Sequence, residues 1–168
     1  MTITELNNLP VAELKEALSR CCGATGWIAR MVAVFPVKDK QQLLGEAELI
    51  WFSCAESDWR EAFTHHPKIG DINSLKEKFA STSAWAEGEQ SSVRQSSQQV
   101  LEALAEGNRQ YEQKFGYIFI VCATGKSAGE MLALLEARLH NSPGEEIKIA
   151  MGEQNKITQL RLEKLLAA

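Results

Sequence analysis

The sequence predicts an all-α fold: one compact helical domain over residues 1–168, with about seven or eight helices and one buried extended segment. Three observations predict it. Apolar residues recur at three- and four-residue spacing along most of the chain. Ser or Asp followed three residues later by Glu, a helix-start pattern, recurs between the apolar runs at Asp58, Ser74, Ser127 and Ser142. A single β-like run, Tyr117–Ala123, has no second run of its quality to pair with.

Taken in order, Pro10 fits a first helical position, and Val11, Leu14, Leu18, Cys21 and Cys22 follow at helical spacing. Gly23–Gly26 breaks the chain. Trp27, Ile28, Met31, Val32 and Phe35 mark a second helix, stopped by Pro36. Asp39 can cap a third, which turns Leu43, Leu44, Ala47, Ile50 and Trp51 inward. Asp58-Trp59-Arg60-Glu61 opens a fourth, with Trp59, Ala62 and Phe63 as its apolar face. Trp51 and Trp59 read as core or as a dimer interface. Ser74-Leu75-Lys76-Glu77 opens a short helix through Phe79. A long helical segment then runs from about Trp85 to Phe115, with Gly116 placed as a C-terminal glycine.

The run Tyr117–Ala123 is β-branched, apolar and bounded by Gly116 and Gly125. It is expected as an extended segment between helices, whose backbone groups need partners other than a neighbouring strand. Ser127 caps the next helix, with Met131, Leu132, Leu134, Leu135 and Leu139 facing in, and Asn141 can end it. Ser142-Pro143-Gly144-Glu145 joins a capping box to a first-turn proline. The last helix carries Ile147, Ala150, Met151, Ile157, Leu160 and Leu165 inward.

Composition excludes several classes. Apolar residues make up 45% and charged residues 24%, with a net charge of −4, as in an ordinary globular protein. No basic block interleaved with aromatics is present, which argues against nucleic acid. The apolar stretches are too short to span a bilayer. Neither a signal pattern nor a peroxisomal address is seen. The cysteines at 21, 22, 54 and 122 lack CxxC spacing and sit among apolar residues. They read as reduced, buried cysteines of a cytoplasmic protein.

The chemistry centres on Phe63-Thr64-His65-His66-Pro67-Lys68-Ile69-Gly70-Asp71. Proline biases the preceding residue away from helical geometry, so a helix should end near His66. A histidine there feels the negative end of the helix dipole, which favours its protonated form. Histidine also titrates near neutral pH, which suits a proton donor. There is no HExxH, no Cys/His cluster of zinc spacing, no phosphate loop and no nucleophile elbow, so no metal or cofactor is expected. What remains is acid–base chemistry by a histidine, a carboxylate and an arginine. From the residues alone, His66 could equally be a helix-capping surface histidine, Glu89 a first-turn acid and Arg161 a solvated cation. Phe119–Ala123 could be plain core.

The loop His66-Pro67-Lys68-Ile69-Gly70-Asp71 resembles the HPxIG signature of 2-oxo-4-hydroxy-4-carboxy-5-ureidoimidazoline (OHCU) decarboxylases, enzymes of the last step from urate to (S)-allantoin. Glu89-Gln90 resembles that family's EQ pair, and Asn108-x-x-Tyr111-x-x-Lys114-Phe115-Gly116 its NxxYxxKFG. Phe119–Ala123 resembles the apolar segment that follows. Arg138-Leu139 with Asn141, then Glu153, Ile157, Arg161 and Leu162, resembles its C-terminal pattern, and Trp59-x-x-Ala62-Phe63 precedes the histidine as it does there. The likeness covers nearly the whole chain in order. Ala86 stands where the family has serine, with Ser83 one turn earlier. Ile118 replaces a proline, and Thr25-Gly26-Trp27 replaces Ser-Pro-Trp.

The resemblance implies an all-helical, cofactor-independent decarboxylase acting on a small ureidoimidazoline, and a homodimer. It implies His66 and Glu89 as catalytic, with His66 the stereospecific proton donor. It places Pro67, Ala86, Gln90, Phe119, Ile120, Val121, Cys122, Ala123 and Arg161 at the substrate. Two alternatives are an inactive helical ureide-binding module and another acid–base enzyme on ureides, such as a racemase or hydrolase.

Overall fold

The computed structural model describes residues 1–67 and 91–167, except the side chains of 91–97. Among the described residues there are eight helices and no strand, as an all-α fold requires. They are α1 (Ile3–Asn7), α2 (Val11–Cys21), α3 (Thr25–Val32), α4 (Lys40–Ser53), α5 (Glu56–Thr64), α6 (Ser91–Phe115), α7 (Ala128–Arg138) and α8 (Pro143–Ala167). The expected short helix at Ser74–Phe79 and the start of the long helix at Trp85 lie outside the described residues. The chain forms two compact units, Met1–His66 with Ile147–Ala168, and Pro67–Glu146.

In the first unit, helix starts follow local chemistry with instructive exceptions. Thr2 and Glu5 cap α1 reciprocally. Pro10 lies one residue before α2, and its carbonyl accepts the Leu14 N–H at 2.9 Å. Asp39 caps α4 by accepting the Gln42 N–H at 2.8 Å. α5 starts three residues earlier than a cap at Asp58 would place it. Asp58 is its third residue and reaches back to the Ala55 N–H (3.0 Å). Ala55 has no side-chain acceptor, so only that half of a capping box forms. α3 follows Ala24, which has no capping side chain. Glu61 of α5 takes that role across space: it accepts the Thr25 N–H at 2.5 Å and the Thr25 hydroxyl at 3.0 Å.

Leu14, Leu18, Cys21 and Cys22 are buried with Trp27, Met31, Leu43, Ala47, Trp51 and Phe63, while Val11 is exposed and Leu44 half-buried. Three indoles each donate to a main-chain carbonyl: Trp27 to Ala47 (3.1 Å), Trp51 to Met151 (2.8 Å) and Trp59 to Trp51 (3.0 Å). A buried indole N–H needs such a partner, so these bonds fix where each ring sits. Trp51 is therefore an internal packing residue, and Trp59 is half-buried.

α8 departs from expectation. Ala150 and Met151 are buried, but Ile157, Leu160 and Leu165 are only half-buried. The residues that go fully inside are Gln154, Asn155 and Thr158, followed by Leu162. Burial of polar side chains is tolerated where they are hydrogen-bonded. The Asn155 amide donates to Glu48 (3.0 Å) and the Gln159 amide to the Leu44 carbonyl (3.0 Å), which ties α8 to α4.

In the second unit, α6 and α7 pack together. α6 ends at Gly116, whose φ of +81° is one that residues with a Cβ rarely adopt. Its N–H reaches the Glu112 carbonyl at 2.9 Å. The chain then runs extended without strand pairing, with Tyr117, Phe119, Ile120 and Cys122 buried. Tyr111, Phe115, Tyr117 and Phe119 form an aromatic cluster, with Tyr111 to Phe115 at 4.6 Å and Tyr111 to Phe119 at 5.2 Å between ring centroids. On α7, Met131 and Leu135 are buried, but Leu134 is exposed and Arg138 is inside. Ser142 and Glu145 cap α8 reciprocally, at 3.2 and 3.3 Å.

Arg138 is inside because Glu146 is. Glu146 has no exposed surface, and its carboxylate is surrounded by donors. It accepts from the Tyr111 hydroxyl (2.6 Å), from Arg138 Nε (2.7 Å) and from the Asn141 amide (3.0 Å), and pairs with the second Arg138 nitrogen at 2.5 Å. Arg138 also donates to the Ile120 carbonyl (2.8 Å) and stacks over Phe119, 4.5 Å from its centroid. Burial, with the hydrogen bond to Glu146 second, pushes the Tyr111 hydroxyl well above its ordinary pKa, so it stays a donor.

Removing one partner of a buried ion pair costs about 3–5 kcal/mol, because the other charge is stranded. Glu146→Leu should lose that much stability in urea denaturation, and Tyr111→Phe about 1–2 kcal/mol. The double variant Arg138→Met/Glu146→Leu should be more stable than Glu146→Leu alone. Equal stability of Glu146→Leu and wild type would show that the pair contributes nothing.

Candidate active site

α5 delivers His66. Ala62 and Phe63 anchor the helix in the core, and the last turn closes through the His66 N–H on the Phe63 carbonyl (3.3 Å). Thr64 folds its hydroxyl back to the Glu61 carbonyl (2.6 Å). His65 and His66 then diverge, as adjacent residues must. The His65 ring lies against Gly23, where an added Cβ would come within 2.4 Å of it and 2.9 Å of His65 Cβ. The His66 ring turns toward α8 and is half-buried. Its Nε2 is hydrogen-bonded to Gln154 Oε1, and Gln154 Nε2 donates to the Thr158 hydroxyl (3.0 Å).

Burial lowers the His66 pKa below its ordinary value of 6.5. The bond to Gln154 opposes this, and the charges of Arg161 and His65 add to it. The expectation that the helix dipole would favour the imidazolium is thus corrected. A dipole at a helix end contributes about 0.3–1 kcal/mol, whereas desolvation can move a buried histidine by up to about 3–5 pKa units. Arg161, half-buried on α8, acts electrostatically on His66 and also on Cys21. Cys21 and Cys22 are pushed up by burial, to about 11 and about 12, so both are thiols at neutral pH.

His66 and Arg161 are therefore brought together within the first unit. Pro67 follows His66 directly and is exposed. Ala86, Glu89 and Gln90 lie outside the described residues. Phe119, Ile120 and Cys122 are buried in the second unit, with Val121 and Ala123 half-buried. Their backbone has protein partners: Ile120 accepts from Arg138, Cys122 from Lys126 Nζ (2.7 Å), and Ala123 from the Lys126 N–H (3.0 Å). Gln154 and Thr158 were not anticipated. Their signal is a polar 154–158–161 stripe on one helix face, masked by the apolar Ile157 and Leu160.

An all-helical chain with a half-buried imidazole beside an arginine carries groups suited to proton transfer. The chain matches the OHCU decarboxylase family over residues 7–163 and belongs to it. A protein of Arabidopsis thaliana named uric acid degradation bifunctional protein TTL is 40% identical over 151 residues, covering 88% of this chain and 45% of that protein. This chain thus spans less than half the length of that relative. A crystal structure described as OHCU decarboxylase in the presence of (S)-allantoin is 37% identical, covers 92% of this chain and 99% of that one, and superposes with a TM-score of 0.71. A structure of (S)-allantoin synthase, 18% identical with a TM-score of 0.69, covers 99% of this chain and 54% of that one, and shares the fold. Among the described residues no group of His, Cys, Asp and Glu could hold a metal ion, and no helix is long and apolar enough to cross a membrane.

Because the folded pKa of His66 lies below 6.5, the unfolded chain takes up its proton first as pH falls. The stability contributed by neutral His66 is complete above pH 6.5 and is lost as pH falls through the folded pKa. An NMR titration should place the His66 midpoint below 6.5; a midpoint above it would show that the dipole outweighs burial. Gly23→Ala should destabilise by about 1–3 kcal/mol through overpacking and shift the His66 resonances. Unchanged resonances and stability would show that His65 simply swings aside.

Proposed function

We propose that this protein is a carboxy-lyase that converts OHCU to (S)-allantoin and CO₂. The match to the OHCU decarboxylase family over residues 7–163 carries the reading, and the half-buried imidazole of its His66-Pro67 loop supports it. The reaction needs no cofactor, because the ring itself accepts the electrons that CO₂ leaves behind. The C–COO⁻ bond breaks and its electron pair moves through the ring to a ring nitrogen, which gains a proton. The hydroxyl loses its proton as it becomes a carbonyl, and the adjacent carbon gains one. In sum the substrate anion takes up one proton.

A neutral imidazole suits the middle of this sequence. His66 takes the hydroxyl proton and returns it to carbon from one side, which sets the product's hand. Arg161 pairs its fork of donors with an anionic or carbonyl edge of the substrate. Glu89 orients the hydroxyl or the imidazole. Gln90 donates and accepts at the ureido or lactam edge. Pro67 and Ala86 contribute contact surface, and Phe119–Ala123 offers backbone groups. A cytoplasmic location is supported by four buried cysteines, none of them in a disulfide. A homodimer is supported by exposed Leu49 and Phe52 on α4, apolar surface that a second copy would cover.

OHCU decays unaided, and the free reaction has no reason to protonate one face, so product chirality is the decisive readout. Circular dichroism of the product should show (S)-allantoin from wild type. His66→Asn should give racemic allantoin near the spontaneous rate, and His65→Ala should stay close to wild type. Optically pure allantoin at wild-type rate from His66→Asn would assign the proton to another group.

A further inference from the structure

The contacts around His66 form a directed chain from Thr158 through Gln154 to the ring, all within the first unit. The Thr158 hydroxyl accepts from Gln154 Nε2 at 3.0 Å. A side-chain amide has a donor end and an acceptor end. Committing its nitrogen to Thr158 commits its oxygen to the other side, where it meets His66 Nε2. An amide oxygen only accepts, so His66 Nε2 must carry the hydrogen. Gln154 and Thr158 are 1% and 2% exposed, so water cannot readily substitute for either. The next helical turn of the same face carries Arg161.

We infer that Gln154, oriented by Thr158, is a positioning residue that holds the His66 ring as its Nε2–H tautomer, so that Nδ1 is the nitrogen that exchanges protons with substrate. The tautomer assignment stands on these contacts alone; its catalytic meaning rests on the decarboxylase reading. An imidazole free to exchange tautomers would present the wrong nitrogen for part of the time. Gln154 also moderates the ring's acidity. Its hydrogen bond favours the imidazolium, whereas burial and the charges of Arg161 and His65 disfavour it. Among the described residues, the charged and titratable groups acting on His66 are Arg161 from α8 and His65 from α5.

The test uses two-bond ¹H–¹⁵N spectra of the full-length chain, which report tautomer without substrate, together with the pH profile of turnover. Wild-type His66 should be the Nε2–H form. Gln154→Leu should give mixed tautomers, lower kcat by about 10- to 100-fold with little change in KM, a part of what positioned acid–base catalysis contributes, and move the imidazole midpoint down. Gln154→Glu should move that midpoint up. Thr158→Val should reproduce a weaker form of the Gln154→Leu effect by freeing the amide to flip, and Thr158→Ser should restore wild-type behaviour. Should Gln154→Leu fail to fold, the Thr158 pair carries the test. An Nδ1–H wild-type ring, or tautomer and kcat unchanged in both Gln154→Leu and Thr158→Val, would overturn the inference. A wild-type protein with the Nε2–H ring but no turnover of OHCU would instead overturn the decarboxylase reading and leave the tautomer assignment intact.

Discussion

The Glu146 carboxylate is the point on which the second unit depends. It draws a donor from α6 in Tyr111, from α7 in Arg138 and from the connection to α8 in Asn141. Through Arg138 it also secures the Ile120 carbonyl of the extended segment. A carboxylate without exposed surface is costly to bury, and the cost is offset only when charge and every lone pair find partners. Here Arg138 pairs the charge and both oxygens accept hydrogen bonds, with the first turn of α8 adding a favourable dipole. The same geometry solves the problem of the strand-like run. Lacking a sheet partner, Tyr117–Ala123 takes hydrogen bonds from the Arg138 and Lys126 side chains and from the Lys126 N–H. Fixing Arg138 therefore fixes the segment, and with it the aromatic cluster that Arg138 covers.

This gives a physical account of two motifs that the family resemblance singles out. In Asn108-x-x-Tyr111-x-x-Lys114-Phe115-Gly116, the tyrosine feeds the buried carboxylate and the phenylalanine packs on it. The lysine donates to the Leu139 carbonyl near the end of α7 (2.5 Å), and the glycine turns the chain into the extended run. Arg138-Leu139 with Asn141 supplies the matching donors. In these contacts both motifs are architectural. The first unit shows a parallel logic on a smaller scale. Indole N–H groups and a polar face of α8, not apolar contact alone, decide how α4, α5 and α8 meet. The same polar face leaves His66 uncharged but hydrogen-bonded, a condition suited to passing a proton both ways.

Much of the fold was legible in the residues. The capping signals at Asp39, Ser127 and Ser142, the glycine after Phe115 and the unpaired run at Tyr117 all act locally, within about one helical turn. The end of α5 just before His66 followed from Pro67 in the same way. Where reading failed, a distant group had intervened. Asp58 pointed to a helix start but caps Ala55 behind it, and α3 takes its cap from Glu61, 36 residues away. Arg138 and Gln154 look like solvent-facing residues until Glu146 and His66 are placed beside them.

By itself the sequence determined the helical class, most helix ends and the residue types of the proton chemistry, because spacing, capping and turn preferences are properties of short stretches. Only the tertiary structure decided which polar side chains go inside and what charge His66 carries. Burial is a property of the neighbours that surround a group. At His66, desolvation outweighs the helix dipole that the local sequence advertises, and the partners that orient the ring, Gln154 and Thr158, lie 88 residues and more along the chain.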